Sequence, residues 1–415
     1  MAASVVAGGM TAAAQAGGPP FLFGGGVVDP DAFAVTTFAS GLPYPYGLAE
    51  LLDGSLLVGV SVPTGGGFFS SVGELWRLAD DNGDGVADGP PIVLVSGLPG
   101  AMGAVRVAGD LVFAVDSQPG AAQISVLRLG TAATDPFAFV GAIAFTYPTT
   151  MDHGTYGLAV RELPGAAGTY ELFFNVGSTA NDAAGATVEA SGLTFGTLLD
   201  AAIYRVAIDD RGDVTLVGAP ELIATGLRNA AGIALDRESG DLWFEDNGID
   251  TPDNRIEALS ADEVNLIPAA EIGGDAEDFG FPNGWVDYRS GEPVGAGGTP
   301  PVAAFTPLAG IENEGAADIA LAPPGFPDGL NDGVFVGFHG QWDEVGDANE
   351  ENPVAYVDRA TGDVVHVVAE AEPAIGHLDG LLATDDALYL ADLTGLGSIA
   401  GYEATGVIYR VAARG

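Results

Sequence analysis

The chain has 415 residues with 57 acidic side chains against 13 basic ones, a formal net charge of −44, and every basic residue is arginine. So negative a surface repels nucleic acid and anionic lipid head groups, and an acidic shell keeps a protein soluble at high ionic strength, so a salt-loving source is expected. The absence of cysteine excludes disulfides and thiol chemistry, and no run is apolar enough for a membrane span.

Residues 1–26 are small, glycine-rich and structureless in pattern. They lack the positive start and long apolar core of a signal peptide and read as the remnant of a cleaved one, which places the protein outside the cell or in the periplasm. The expected organisation is a flexible segment over residues 1–30 and one domain over residues 31–415.

From Tyr46 onward one pattern recurs: a small-residue turn, an apolar strand, a Gly/Asp-rich turn and a second apolar strand ending on polar residues. It begins at Tyr46 (YGLAELLDGSLLVGVSV), Met102 (MGAVRVAGDLVFAVDSQ), Tyr156 (YGLAVRELPGAAGTYELFFNVGS), Arg228 (RNAAGIALDRESGDLWFEDN), Ala317 (ADIALAPPGFPDGLNDGVFVGFHGQW) and Asp379 (DGLLATDDALYLADL). The copies align on Gly47, Gly103, Gly157, Gly232, Asp318 and Gly380. A third strand follows each pair, as in GELWRL from Gly73 and VIYRV from Val407, and a fourth ends in a small-Gly-Leu turn at Leu98 and Leu227. Each unit is therefore a four-stranded antiparallel meander that cannot bury its own faces, which is the signature of a repeat architecture.

Six such units predict an all-β, six-bladed β-propeller. Val35 to Leu42 (VTTFASGL) matches the fourth-strand segments, while the chain stops just after the third strand of the last unit. The N-terminal strand is thus expected to complete the last blade and remove the exposed sheet edges.

In such a meander the loops entering inner strands and those joining second to third strands share one mouth of the ring. That rule gathers Asp152, His153, Arg228, Asn229, Glu245, Asp246, Asn247, His339, Trp342 and His377 at one end, with three of the four histidines. The longer loops, Gly177 to Asp200 and Thr251 to Asp262, belong there too, and extended loops on a rigid scaffold are where function concentrates. Trp342 reads as a sugar-stacking platform or as packing near the rim. Glu312, Asn313 and Glu314, with Glu350, Glu351 and Asn352, read as solvated acidic loops. The opposite mouth carries short turns and the loop DDNGDGVAD, in which Asp80, Asn82, Asp84 and Asp88 have the alternating oxygen spacing of a calcium loop. Pro91 stands at the twelfth position where an EF-hand has its bidentate Glu, so the loop is either a non-EF-hand structural calcium site or a plain Asp/Asn/Gly turn.

Four ordered segments resemble the glucose/sorbosone dehydrogenase family of soluble quinoproteins: DHGTYGLAV with LFFNVGS, TGLRNAAGIAL with LWFEDNG, ADEVN with EDFGFPNGW, and GVFVGFHGQW. That family consists of six-bladed propellers that oxidise sugars with pyrroloquinoline quinone. The resemblance implies that His153 is the base that removes the substrate hydroxyl proton, a task suited to an imidazole titrating near neutral pH. It implies that Arg228 and Asn229 contact the quinone, and that a calcium ion sits near Glu245, Asp246, Asn247 and Glu263 and holds the cofactor. Asp152, His339, Trp342 and His377 are candidates for the rest of the cofactor pocket. This chain differs from the family's pattern in having Ser178 where an aspartate orients the histidine, Phe279 where a turn has another aromatic, and no lysine in its C-terminal half.

The same mouth is open to a second chemistry, calcium-dependent lactone hydrolysis similar to the gluconolactonase propellers, with Asn175, Asn229, Asp246 and Asn247 as oxygen ligands. A neutral lactone needs no cations around it, whereas a tricarboxylate quinone needs several. A transition metal on His153, His339 and His377 is a further arrangement, without a short ligand spacing behind it, and a non-catalytic binding propeller is a fourth.

Overall fold

The computed structural model describes residues 19–65, 67–148, 151–210, 214–216, 218–252, 254–307, 315–340, 354–371, 375, 377–394 and 404–414. Trp342 and the acidic residues Glu312 to Glu314 and Glu350 to Asn352 lie outside them. The chain forms an all-β six-bladed propeller of mostly four-stranded antiparallel blades. From inner to outer strand, blade one runs Pro45–Glu50, Leu56–Pro63, Ser71–Leu78 and Ile92–Leu98. Blade two begins with Ala101–Ala108 and Leu111–Gln118, and blade three with Leu158–Glu162 and Thr169–Val176. Blade four starts with Ile233–Leu235 and Leu242–Asp246, blade five with Ala316–Leu321 and Gly333–Phe338, and blade six with Leu378–Ala383 and Ala387–Asp392. The outermost strand of blade six is Phe33–Leu42, antiparallel to Gly406–Ala413.

Period-two alternation divides each second strand between two neighbours, because successive side chains leave opposite faces of a strand. Leu242 and Phe244 pack with Phe173 and Ile203 of blade three, while Trp243 between them packs with Val334 and Val336 of blade five. Phe335, in turn, faces Leu388 and Leu390 of blade six. The same division repeats at the interfaces of blades one and two, two and three, and six and one. Each such side chain contributes about 1.5–3 kcal/mol on burial, so the ring is held by six apolar seams.

Two features depart from the simple meander. The segment expected as a long mouth loop contains Thr187–Gly192 and Gly196–Leu199, a hairpin that pairs with Ala138–Thr146 and widens blade two to six strands. Its alternation explains this, since Val188, Ala190 and Leu198 are buried in the seam between blades two and three. At the start of the chain, Leu22–Phe23 pairs with Val368–Ala369, and Phe21 and Phe23 are buried among Phe33, Phe326 and Phe335. The packed chain therefore begins before residue 31.

Phe23→Ala removes an aromatic ring from that cluster and should cost about 3–5 kcal/mol. A denaturant melt in high salt checks this, and a loss under about 1 kcal/mol would mean that the segment is merely draped over the surface.

Candidate functional site

At the axis the inner strands approach so closely that side chains are excluded. A methyl group on Gly47 would meet the Gly103 carbonyl, on Gly232 the Asp318 backbone and on Gly380 the Tyr46 carbonyl. The fifth position of this series is Asp318, and its carboxylate accepts the Ile319 and Leu381 amides at 2.9 and 3.1 Å. From blade two, Arg106 crosses to it at 3.2 Å, and the Tyr46 hydroxyl of blade one donates to the Ala317 carbonyl at 2.7 Å. These contacts tie non-adjacent blades together across the axis.

His153 stands before the inner strand of blade three. Its Nδ1 lies 2.9 Å from Ser178 Oγ, and Ser178 Oγ donates to the Ala180 carbonyl at 2.9 Å. The serine has one proton and spends it on Ala180, so towards His153 it can only accept. Nδ1 therefore carries the hydrogen, and Nε2 keeps its lone pair. Gly177 allows this placement, because a methyl group there would sit 2.6 Å from the His153 Cβ. Asp152 is exposed beside it and accepts the Asn181 amide at 3.2 Å.

Arg228 is where the sequence places it in the chain, but its guanidinium turns inward. It is 5% exposed and donates to the Asn181 carbonyl, Asn181 Oδ1 and Asp250 Oδ2 at 3.0, 2.7 and 2.9 Å. Burial lowers its pKa from the usual arginine range, against the pull of Asp250, Asp246 and Asp262. Its backbone and that of Asn229 are clamped by the two oxygens of Asp246, at 3.0 and 2.7 Å.

Glu245 and Asn247 leave the opposite face of the same strand. Glu245 is fully buried, one oxygen accepts the Gly232 amide, and among the described residues no donor meets Oε2. Asn229 donates to Asn247 Oδ1 at 2.7 Å, Asn247 donates to the Ala316 carbonyl, and no described donor meets Asn229 Oδ1. Burial raises Glu245 well above the carboxylate range, with Asp246, Asp262 and Asp318 adding to it. Burial likewise pushes Asp246 up to about 7 and Glu263 up to about 8. Glu263, Asp246 and Arg228 line a cavity of about 20 Å³ with Ser260, Phe279 and Trp285, room for a water molecule.

His339 and His377 come from blades five and six and meet. His339 Nδ1 bonds Asp379 Oδ1, and His377 Nδ1 bonds the His339 carbonyl. Burial pushes His339 down to about 3 and raises Asp379 well above its usual range. Among the described residues no group of three or more His, Asp or Glu is set to hold a metal ion.

The loop from Asp80 to Asp88 lies between the third and fourth strands of blade one. Asp80 accepts the Gly83, Asp84 and Gly85 amides, and Asp88 accepts the Asp81 and Asn82 amides and the Asn82 side chain. Gly85 and Ala87 bond Thr36 and Phe38, so the loop latches blade one to the N-terminal strand of blade six.

Sequence reading missed Arg106, Asp250 and the role of Asp318. The last had a signal, since an aspartate stands where five repeats have glycine.

No protein-family model matches the chain, and no curated protein matches it. Solved structures do. A calcium structure of a carbohydrate-active enzyme of family AA12 from Trichoderma reesei aligns with a TM-score of 0.58 at 16% identity, over 95% of this chain and 98% of that one. The PQQ-bound aldose sugar dehydrogenase of Streptomyces coelicolor gives 0.56 at 16%, over 92% and 98%. The holo PQQ domain of pyranose dehydrogenase from Coprinopsis cinerea gives 0.54 at 15%, over 92% and 96%. At this identity the likeness is one of fold.

Burial alone pushes Asp116, 1% exposed at the end of a blade-two strand, up to about 7. The folded chain therefore holds a proton that the unfolded chain has lost above pH about 4, and Asp116 makes stability fall as pH rises from about 4 to about 7. Asp116→Asn should stabilise on the order of 2 kcal/mol at pH 8 and leave stability at pH 4 unchanged. Equal denaturation midpoints for the two proteins at pH 8 would contradict this.

Proposed function

We propose that the protein binds a carbohydrate at the mouth of the propeller and that His153 takes the proton of a substrate hydroxyl, on the plan of the sugar dehydrogenases whose fold it shares. The observation that carries this is the His153–Ser178–Ala180 relay, which leaves Nε2 as a proton acceptor. Ser178 orients the ring without a charge, so it replaces the positioning role of an aspartate but not its stabilisation of an imidazolium.

Pyrroloquinoline quinone has three carboxylates, and the residues present do not fit it on their own. Arg228 is consumed by Asp250 and Asn181, and Arg106 by Asp318. Of the loops expected at this mouth, 308–314, 341–353 and 395–403 contain no Lys or Arg, and Thr251 to Asp262 contains Arg255. An anion in this mouth would face the acceptor oxygens of Asp116, Glu245 and Asp379, which no described donor meets.

A calcium ion fits better. Glu245 Oε2 and Asn229 Oδ1 are buried hard-oxygen acceptors without described donors, the kind of ligand calcium takes. When bound, it would polarise a sugar hydroxyl or a carbonyl oxygen. Calcium at the Asp80 loop would instead be structural, tightening the latch on blade six.

The same acceptors, with the shortage of cations, favour a second reading: calcium-dependent lactone hydrolysis, with His153 taking its proton from water. Aldose oxidation with a dye acceptor and lactone hydrolysis, each assayed with calcium and in high salt, separate the two. For whichever reaction is found, His153→Ala should lose about 10²–10⁴-fold in kcat. Ser178→Ala should lose about tenfold and regain nothing from added calcium. Full activity in His153→Ala would remove this assignment. Titration with the quinone should give tight binding only if calcium is present, or none at all.

A further inference from the structure

We propose that the cavity between blades three and four takes the exocyclic hydroxymethyl group of a hexopyranose, with Trp285 as the platform for the sugar ring and Ser260 and Glu263 as partners of the inserted hydroxyl. This rests on the reading of the mouth as a carbohydrate site, and it names the part of the sugar that is recognised there.

Strand alternation and loop packing build the cavity. Asp246 and Glu263 oppose each other in the blade-four ladder, on the same face as Phe244, which packs towards blade three. Phe279, a cavity wall, meets Phe244 edge to face at 5.1 Å. Trp285 lies on the hairpin of Gly284–Val286 with Pro293–Gly295. It packs against Ala201, Ile249 and Phe281 but stays only partly buried, so part of the indole remains to meet a ligand. The enclosed space of about 20 Å³ is open on one side and fits a water-sized group, not a sugar ring. Only a hydroxyl carried on a carbon arm reaches inside while its ring lies on the aromatic wall.

The polar groups inside match a hydroxyl. Ser260 is 3% exposed and its Oγ accepts the Ile249 amide at 2.6 Å; among the described residues no acceptor takes its hydrogen, which is left for a ligand. Glu263 provides the acceptor. Asp246, by contrast, has both oxygens on the Arg228 and Asn229 amides, and Arg228 turns its guanidinium to Asn181 and Asp250. A hydroxyl both donates and accepts, so it satisfies Ser260 and Glu263 together, whereas an anion would face two carboxyl groups. Aromatic walls with a few convergent polar groups are the make-up of a small-molecule site, and the C–H face of a pyranose is the apolar surface that an indole covers. The cavity also adjoins the proposed base: Ser178, which orients His153, donates its amide to the carbonyl of Arg228 in the cavity wall at 2.8 Å.

Matched sugars test this without any mutation. The full-length protein, in high salt with calcium, is titrated calorimetrically with D-glucose, D-galactose and D-mannose and with the pentoses that lack only their hydroxymethyl group, D-xylose, L-arabinose and D-lyxose. At least one hexose should bind about tenfold more tightly than its pentose. Ser260→Ala, checked for native circular dichroism, should bring that hexose down to the affinity of the pentose and leave the pentose unchanged. Trp285→Ala should weaken both about tenfold. Wild-type protein that binds each hexose and its pentose equally overturns the assignment, showing that the cavity holds a resident water only, while the carbohydrate reading stands. Wild-type protein that binds none of these sugars overturns both. A folded Ser260→Ala that keeps the full hexose preference removes the subsite, and if either variant fails to fold, the wild-type comparison decides.

Discussion

The structure depends on how closely six inner strands approach one axis. Backbone meets backbone between neighbouring blades, as Gly47 does with Gly103 and Gly380 with Tyr46, so the repeat must present glycine there. Asp318 is the exception, and it is compensated: its carboxylate turns to two amides and to Arg106 from across the ring. That pair, with Tyr46 on the Ala317 carbonyl, binds non-adjacent blades across the axis and leaves the polar ends of the second strands crowded around the mouth.

The crowding sets the chemistry, because the chain has few cations and uses them elsewhere. Arg128 joins blade two to Asp210 of blade three, and Arg359 joins blade five to Asp236 of blade four while lying over Trp243. Arg161 and Arg205 share Glu171 within blade three. Partly exposed pairs of this kind contribute only about 0–1 kcal/mol each, so their main effect is on position. What remains at the mouth is acceptor-rich: Asp116, Glu245, Asn229 and Asp379 each have an oxygen that no described donor meets. Such a place favours protons, metal ions and neutral hydroxylated ligands over a polycarboxylate. The fold shared with the sugar dehydrogenases is thus present here with an acceptor-rich mouth, and a shared scaffold does not by itself fix the chemistry of the site.

Much of the fold is legible locally. Alternating apolar residues, turn glycines and the repeat itself locate the inner, second and third strands, and the sequential order of units makes each blade a neighbour of the next. His153 and Ser178 are likewise legible as a pair, because they occupy equivalent ends of adjacent strands in one blade. The hairpin after Gly177 also has a readable alternation at Val188 and Ala190, but nothing local says that it pairs with blade two and not with its own blade.

The sequence by itself determined the number of blades and the order of their inner, second and third strands, because strand periodicity and turn chemistry are properties of a few consecutive residues. Only the tertiary structure decided where the side chains point. Arg228 turns inward because Asn181 and Asp250, from two separate loops, converge on it. His339 meets His377 because blades five and six bring together strand ends 38 residues apart, and Arg106 finds Asp318 across 212 residues. Such meetings depend on closure of the whole ring around its axis, a geometric condition that no single segment contains.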